Sequence, residues 1–152
     1  EKLSPLGHFT VAASFGNVHG VYAPGNVKLR PEILKSSQAL VSERHGGGAK
    51  PLNLVFHGGS GSEKEKIHEA VSYGVFKMNI DTDTQFAFAK PVGDYVKANP
   101  KAFEFQVDPE TGKPYKKLYD PRKWLRAAEL GIVARLDEAF ADLGSKGKSI
   151  AG

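Results

Sequence analysis

The chain has 152 residues, of which 40% are hydrophobic and 25% are charged, with a formal net charge of +4 and no cysteine. This size and composition indicate a globular domain and exclude a disordered chain, and the lack of cysteine excludes disulfides and thiolate metal ligands. The basic residues are spread along the chain, unlike those of a nucleic-acid binder, and no apolar run approaches the roughly 20 residues of a membrane span.

Three short apolar runs, rich in β-branched and aromatic residues, predict buried parallel strands. They cover residues 9–15, 52–56 and 75–80. Helical patterns alternate with these runs and follow the last one, at residues 31–44, 62–73, 82–99 and 120–143. Residues 100–119 are polar and turn-rich, and we expect them to form a surface excursion.

The helix boundaries carry local signals. Pro31 suits the first turn of the first helix, and Ser62 with Glu65 has the spacing of a capping box at the start of the second. Pro91 is expected to interrupt the third helix, and Asp120 is expected to cap the last one. The last helix has an apolar stripe made of Leu125, Ala128, Ile132, Leu136, Phe140 and Leu143.

The predicted order is three successive strand–helix pairs followed by a further helix. That order requires parallel strands joined by right-handed crossovers. Two architectures fit it: a small doubly wound sheet, or part of a (β/α)₈ barrel, whose repeat of roughly 30 residues per unit the spacing matches. With three predicted strands, the chain is either a very small α/β domain or a barrel portion.

Two histidines follow the first two predicted strands, His19 between glycines and His57 directly after its strand. The carboxyl ends of parallel strands meet at one edge of a sheet, where ligands bind. Neutral imidazoles at that edge can share a metal ion, and a loop histidine bonded to backbone is the alternative for His19. Two ligands are too few for a catalytic zinc, so a third would come from elsewhere.

A glycine-rich turn, HGGSGS at residues 57–62, leads from the second strand into its helix. Such a turn can direct successive backbone N–H groups at a phosphate, or it can simply be a tight turn, and it lacks the ending of a Walker loop. After the third strand, alternation directs Asn79 and Asp81 to the same side. Asp81 or Thr82 equally suits the cap of the following helix.

Three segments in register resemble the C-terminal signature segments of class II fructose-bisphosphate aldolases. They are SFGNVHGVYAPGNVKLRPEIL at 14–34, LVFHGGSGS at 54–62 and VFKMNIDTDTQFAF at 75–88. The DPRKWLR helix at 120–126 also resembles theirs, and the similarity runs from Phe9 to about Leu143. The resemblance implies that residues 1–152 are the C-terminal portion of a single (β/α)₈ TIM barrel, with about strands six to eight and an extra C-terminal helix, and that the N-terminal portion is absent.

The resemblance also implies a zinc-dependent lyase that reversibly cleaves fructose 1,6-bisphosphate into dihydroxyacetone phosphate and glyceraldehyde 3-phosphate. His19 and His57 would be zinc ligands, and Asn79 would be the catalytic residue near the reacting carbons. Residues implied to hold dihydroxyacetone phosphate are Gly20, Gly58, Gly59, Ser60, Asn79, Ile80, Asp81 and Thr82. Arg122 resembles the arginine that meets the second phosphate. A monovalent cation, K⁺ or Na⁺, is implied near the backbone of Gly20, Gly58 and Ser60.

Three elements of that family's site have no match in this sequence: the proton-transferring aspartate, a third zinc histidine and the acidic residues of the metal path. We therefore expect the isolated chain to be inactive. Ala23 stands where the family often has lysine. His8, His45 and His68 are interpreted as surface or structural residues.

Two alternatives remain open at this stage: a tagatose-bisphosphate aldolase of the same family, and a non-catalytic phosphate-binding α/β module. A cytoplasmic location is the default expectation, and the resemblance implies a homodimer. No nucleic-acid or membrane partner is expected.

Overall fold

The computed structural model describes residues 7–20 and 27–149, in which two strands and six helices are found. In chain order these are α1 (Glu32–His45), β1 (Leu54–Phe56), α2 (Lys64–Ser72), β2 (Val75–Met78), α3 (Thr82–Ala98), α4 (Pro100–Glu104), α5 (Lys116–Tyr119) and α6 (Pro121–Asp142). The chain forms two units, one with the described residues up to Thr82 and from Ala141 onward, the other with Asp83–Phe140. The position of Ala23 lies outside the described residues.

The first unit contains a parallel sheet formed by β1 and β2, as the strand–helix alternation predicts. The register pairs Leu54 with Val75, Val55 with Lys77 and Phe56 with Met78. All three residues of β1 are buried, which agrees with a parallel strand covered on both faces.

The predicted first strand, residues 9–15, is wrong in its extent. It contributes one parallel bridge, in which the Val11 N–H donates to the Asn53 carbonyl at 2.8 Å and the Val11 carbonyl accepts from Val55 N–H at 2.9 Å. Farther along, the Phe15 N–H donates to Asn17 Oδ1 and the Phe15 carbonyl accepts from Arg30 N–H. Those backbone groups are thereby withdrawn from the ladder, although the segment still lies beside β1.

The core of the first unit lies between this sheet and helices α1 and α2. Its buried members are Phe15, Leu34, Leu54, Phe56, Ile67, Ala70 and Val75. The rings of Phe15 and Phe56 meet edge to face with centroids 4.7 Å apart. Leu143, just after α6, packs against the same core.

Among the described residues of this unit, one polar side chain is buried: Gln38 of α1, with 3% of its surface exposed. Its Oε1 accepts from the Leu52 N–H at 2.8 Å, and its Nε2 donates to the carbonyls of Leu52 at 2.9 Å and Tyr73 at 3.0 Å. These bonds join α1 to the segment that enters β1 and to the end of α2. An added Cβ at Gly74 would approach the same Nε2 to 2.7 Å, so the turn into β2 fits closely around this amide.

The predicted capping box at the start of α2 is wrong. Glu63, in an extended conformation, occupies the cap position, and no side chain of the cap donates or accepts a bond there. The reason is that Ser62 belongs to the preceding turn, in which its N–H donates to the Gly59 carbonyl at 3.3 Å. The other boundaries agree better: α1 begins after Pro31, and Asp120 Oδ1 accepts from the Arg122 N–H at 3.0 Å as a cap of α6.

In the second unit, α3 continues through Pro91, so the predicted interruption is wrong. Proline has no N–H, so the Ala87 carbonyl lacks its usual donor within the helix. Gly131 of α6 lies against this carbonyl, since an added Cβ there would overlap the Ala87 oxygen and approach Pro91 Cγ to 2.9 Å. The missing side chain of Gly131 allows α6 to approach α3 at the point where the proline alters the bonding.

The segment 100–119 contains two short helices, α4 and α5, and is more ordered than a plain surface excursion. Between them, Asp108 accepts from the Glu110 and Thr111 N–H groups and from the Tyr115 hydroxyl at 2.6 Å. The Tyr115 hydroxyl bond is the main reason why the pKa of Asp108 falls to about 2. Within the described residues, no helix is long and apolar enough to cross a bilayer.

The Gln38 bonds yield a stability prediction. We expect Gln38→Ala to lower the free energy of unfolding by about 2–3 kcal/mol, because it leaves buried backbone groups of Leu52 and Tyr73 without partners. Urea denaturation followed by circular dichroism measures this change. Gln106→Ala, at an exposed glutamine, is the matched control and should change stability little. Equal effects of the two substitutions would contradict the role given to Gln38.

Candidate functional site

A cavity of about 170 Å³, the liquid volume of roughly five or six water molecules, opens at the carboxyl ends of β1 and β2 in the first unit. Its lining residues are His19, Gly20, His57, Gly58, Ser60, Asn79, Asp81 and Thr82. All eight were singled out from the sequence. They come together because each follows a parallel strand or the bridged segment, and those ends share one edge of the sheet.

The two histidines of the cavity face each other. The ring centroids of His19 and His57 are 6.0 Å apart, and the ring planes are tilted by 47°. A zinc ion about 2.0–2.1 Å from a ring nitrogen lies about 3.2 Å from the ring centroid, so two rings that share it at a tetrahedral angle have centroids about 5.2 Å apart, and about 6.4 Å is the linear limit. The observed 6.0 Å lies between these two values, so the rings would have to approach each other slightly to share a tetrahedral ion.

A complete set of metal ligands is not found within the described ranges. No group of three His, Cys, Asp or Glu side chains among these residues could hold a metal ion. The sequence already required a third ligand besides His19 and His57, and the described part of the chain does not supply one.

Asn79, directly after β2, is fixed by its backbone and has an unsatisfied side-chain atom. Its N–H donates to the Phe56 carbonyl at 2.8 Å, and its carbonyl accepts from the Gly59 N–H at 2.9 Å. Its Oδ1 is buried without a hydrogen-bond partner among the described residues. A buried acceptor without a donor costs about 1–3 kcal/mol, so a ligand that offers a hydroxyl or a cation would be favoured there.

The glycine-rich turn is shaped by close contacts with its neighbours. Gly58 has a φ of +64°, and an added Cβ would overlap the carbonyl oxygen of Val18. Gly59 is buried, and an added Cβ would overlap the side chain of Met78. Both positions therefore exclude side chains, which brings the turn against the loop of His19 on one side and against the end of β2 on the other.

The helix that begins at the cavity is α3 rather than α2. Thr82, the first residue of α3, lines the cavity together with Asp81. The Asp81 N–H donates to Ser60 Oγ at 3.2 Å, which ties the glycine-rich turn to the start of this helix. Helix α2 begins only at Lys64, which does not line the cavity. An anion in the cavity would therefore meet the N-terminal end of α3.

Three residues implied by the resemblance do not line the cavity: Gly59, Ile80 and Arg122. The Gly59 N–H is already used by the Asn79 carbonyl. Arg122 belongs to the second unit, where it forms an ion pair with Asp120 and 88% of its side chain is exposed. The hydrogen bond from this guanidinium is the main reason why the pKa of Asp120 falls to about 2.

One residue of the site, Asn17, was not singled out from the sequence. It does not line the cavity, but its side chain bonds to the backbone of Phe15 in its own segment and of His57, which does line it. The available signal was a short amide residue placed between a buried aromatic residue and a histidine, and such residues often bond to nearby backbone.

Comparison with known proteins connects this geometry with one family. A family model described as "Fructose-bisphosphate aldolase class-II" matches residues 2–148. The chain is 57% identical over 145 residues to the fructose-bisphosphate aldolase of Edwardsiella ictaluri, covering 93% of this chain and 40% of that protein. It is 54% identical over 145 residues to the class 2 enzyme of Escherichia coli K12, covering 94% of this chain and 40% of that protein.

A crystal structure of the fructose-bisphosphate aldolase from Campylobacter jejuni matches with a TM-score of 0.83 and 56% identity, over 93% of this chain and 41% of that one. The match confirms the expected fold class, an α/β chain that forms part of a TIM barrel. The chain spans about 40% of the length of the curated relatives that it matches.

The turn geometry yields a prediction that separates steric overlap from backbone strain. Gly58 and Gly61 both have positive φ, +64° and +72°, but an added Cβ would overlap Val18 at Gly58 and meet nothing within 4 Å at Gly61. We expect Gly58→Ala to lower the free energy of unfolding by about 1–3 kcal/mol more than Gly61→Ala, since only the first inserts a methyl group into packed backbone. Chemical denaturation of both variants measures the difference, and equal losses would contradict the close approach.

Proposed function

The chain belongs to the class II fructose-bisphosphate aldolase family, and on this premise we propose that it forms the metal and triose-phosphate side of a zinc-dependent aldolase site. The proposed reaction is the reversible cleavage of fructose 1,6-bisphosphate into dihydroxyacetone phosphate and glyceraldehyde 3-phosphate. The observation that carries the proposal is the pair of facing imidazoles, His19 and His57, in one cavity beside the unpartnered Oδ1 of Asn79.

His19 and His57 are proposed to hold the zinc ion, together with a further ligand beyond the described residues. When bound, zinc supplies a Lewis acid that polarises the substrate carbonyl as negative charge develops in aldol cleavage. No cysteine is present to compete for the ion, and imidazole nitrogen is a ligand that zinc favours. The imidazoles bind zinc in their neutral form.

Asn79 is proposed to orient the substrate at the reacting carbons. Its backbone is held on both sides by bonds to Phe56 and Gly59, so the amide is preorganised. Its buried Oδ1 accepts no bond within the described residues and can accept one from a substrate hydroxyl. Fixing that hydroxyl would position the bond to be cleaved next to the metal. Such positioning lowers the activation barrier by several kcal/mol, with an upper limit of roughly 7–11 kcal/mol.

The phosphate of dihydroxyacetone phosphate is proposed to lie between the glycine-rich turn and the start of α3. Gly20, Gly58, Ser60, Asp81 and Thr82 all border the cavity, and the Asp81 N–H donates to Ser60 Oγ. The N-terminus of a 17-residue helix favours an anion. The Gly59 N–H donates to the Asn79 carbonyl and so holds the turn against Asn79. Ile80 follows Asn79 in the segment that leads into α3.

Further features of the family are included in this proposal. We infer a phosphorylated sugar as substrate, a monovalent cation, K⁺ or Na⁺, near Gly20, Gly58 and Ser60, and a cytoplasmic homodimer. Arg122 is proposed to meet the second phosphate of the bisphosphate.

The metal assignment is tested in the full-length protein. We expect His19→Ala and His57→Ala each to weaken zinc binding more than about 100-fold and to abolish cleavage of fructose 1,6-bisphosphate. The loss should exceed the roughly 10–100-fold that is typical when a residue bonded to a metal ligand is replaced. Metal content by mass spectrometry and a coupled cleavage assay measure these losses.

His68→Ala is the matched control for the metal assignment. The His68 side chain is 57% exposed, and its Nε2 lies 3.7 Å from an Asp142 carboxylate oxygen, on helix α2 and not in the cavity. This variant should retain zinc and activity. If the His19 and His57 variants behave like it, the proposed function is wrong.

A further inference from the structure

Asn17 connects the two loops that carry the histidines. Its Oδ1 accepts from the Phe15 N–H at 2.9 Å, and its Nδ2 donates to the carbonyl oxygen of His57 at 2.8 Å. The second bond joins residues 40 positions apart in the sequence. It ends on the backbone of a histidine of the cavity, while Asn17 itself lies just before His19, the other histidine.

The two segments that Asn17 connects are packed together by buried aromatic side chains. Phe15 is fully buried and packs against Phe56, and Phe56 directly precedes His57. Asn17 is partly buried, with its amide between the two segments. The hydrogen bonds therefore transmit the packing of the aromatic pair to the backbone position from which the His57 ring projects.

The segment at residues 15–19 makes four contacts with the segment at residues 56–58, and they follow one another along the first of these segments. The Phe15 and Phe56 rings come first, then the Asn17 amide on the His57 carbonyl, then the close approach of Val18 to Gly58. The facing imidazoles come at the end of this series. Among these contacts, only the Asn17 amide is a directional bond to the backbone of a histidine that faces the cavity.

We propose that Asn17 is a positioning residue that sets the separation of the His19 and His57 imidazoles and thereby the affinity of the site for its metal ion. The inference rests on the proposed function, since it assumes that these histidines bind zinc. An amide suits this position because it accepts from one N–H at its oxygen and donates to a carbonyl at its nitrogen, two separate atoms. Aspartate can only accept when ionised, and alanine can do neither.

The test uses four variants of the full-length protein: Asn17→Ala, Asn17→Asp, Gln38→Ala and His57→Ala. Gln38→Ala is the matched control, because Gln38 is also an amide bonded to backbone across the first unit but does not line the cavity. The zinc dissociation constant is measured by competition with a chromophoric chelator, and the thermal midpoint of each metal-free variant is measured by circular dichroism. The KM and kcat for fructose 1,6-bisphosphate are measured at saturating zinc.

We expect Asn17→Ala to weaken zinc binding by about 10–100-fold, as substitution of outer-shell partners of metal ligands does. Asn17→Asp retains the acceptor for the Phe15 N–H and adds a negative charge, which alone would attract the cation. Weaker zinc binding in this variant therefore reports the lost donation to His57. Gln38→Ala should lower the thermal midpoint and leave the zinc constant unchanged. At saturating zinc, kcat should recover further in Asn17→Ala than in His57→Ala.

Two outcomes overturn the positioning role alone. One is an unchanged or tighter zinc constant in Asn17→Asp while His57→Ala loses zinc. The other is a loss of zinc affinity in Gln38→Ala that equals the loss in Asn17→Ala, which would mean that general destabilisation is the cause. If His57→Ala keeps its zinc, both the metal assignment and the role of Asn17 are wrong. If Asn17→Ala fails to fold, Asn17→Asp, which is of the same size, decides the question.

Discussion

The edge-to-face contact of Phe15 with Phe56 is the interaction on which the cavity depends. Both rings are fully buried, and each lies shortly before a loop that carries a histidine. The same burial of apolar surface that stabilises the first unit therefore brings His19 and His57 to one edge of the sheet. The catalytic geometry proposed for this aldolase-family chain is a consequence of core packing, and the polar contacts of Asn17 and Gly58 refine it.

Much of the site was predictable from the sequence because parallel strands bring their carboxyl ends together. Once the runs before His57 and Asn79 were interpreted as strands, the residues after them had to share one edge. The resemblance added the roles of these residues, and family membership is now confirmed by the match over residues 2–148. The helix starts at Pro31 and Asp120 were also predictable, since their signals are local.

Other features depend on partners that are distant in sequence. Gln38 binds Leu52 and Tyr73, and no local pattern indicates that an amide in a helix will be buried there. Ser62 had the spacing of a cap, but the turn that begins at Gly59 used its N–H first. Helix α3 continues through Pro91, and Gly131 of α6 lies against the Ala87 carbonyl, which the proline leaves without a donor. At Gln38 and Pro91 the contact involved is distant in sequence, whereas at Ser62 the competing bond lies within the turn itself.

The backbone bonds at Asn79 have a consequence for the motions of the site. The Asn79 N–H donates to Phe56 and the Gly59 N–H donates to Asn79, so the hydrogen-bonded ladder of the parallel pair continues past β1 and β2 into the cavity floor. These amides exchange with solvent only when the bonds at this end of the ladder open. Motion of the cavity lining at Asn79 is therefore coupled to opening of the strand pair, which is slower than the fluctuations of a surface loop.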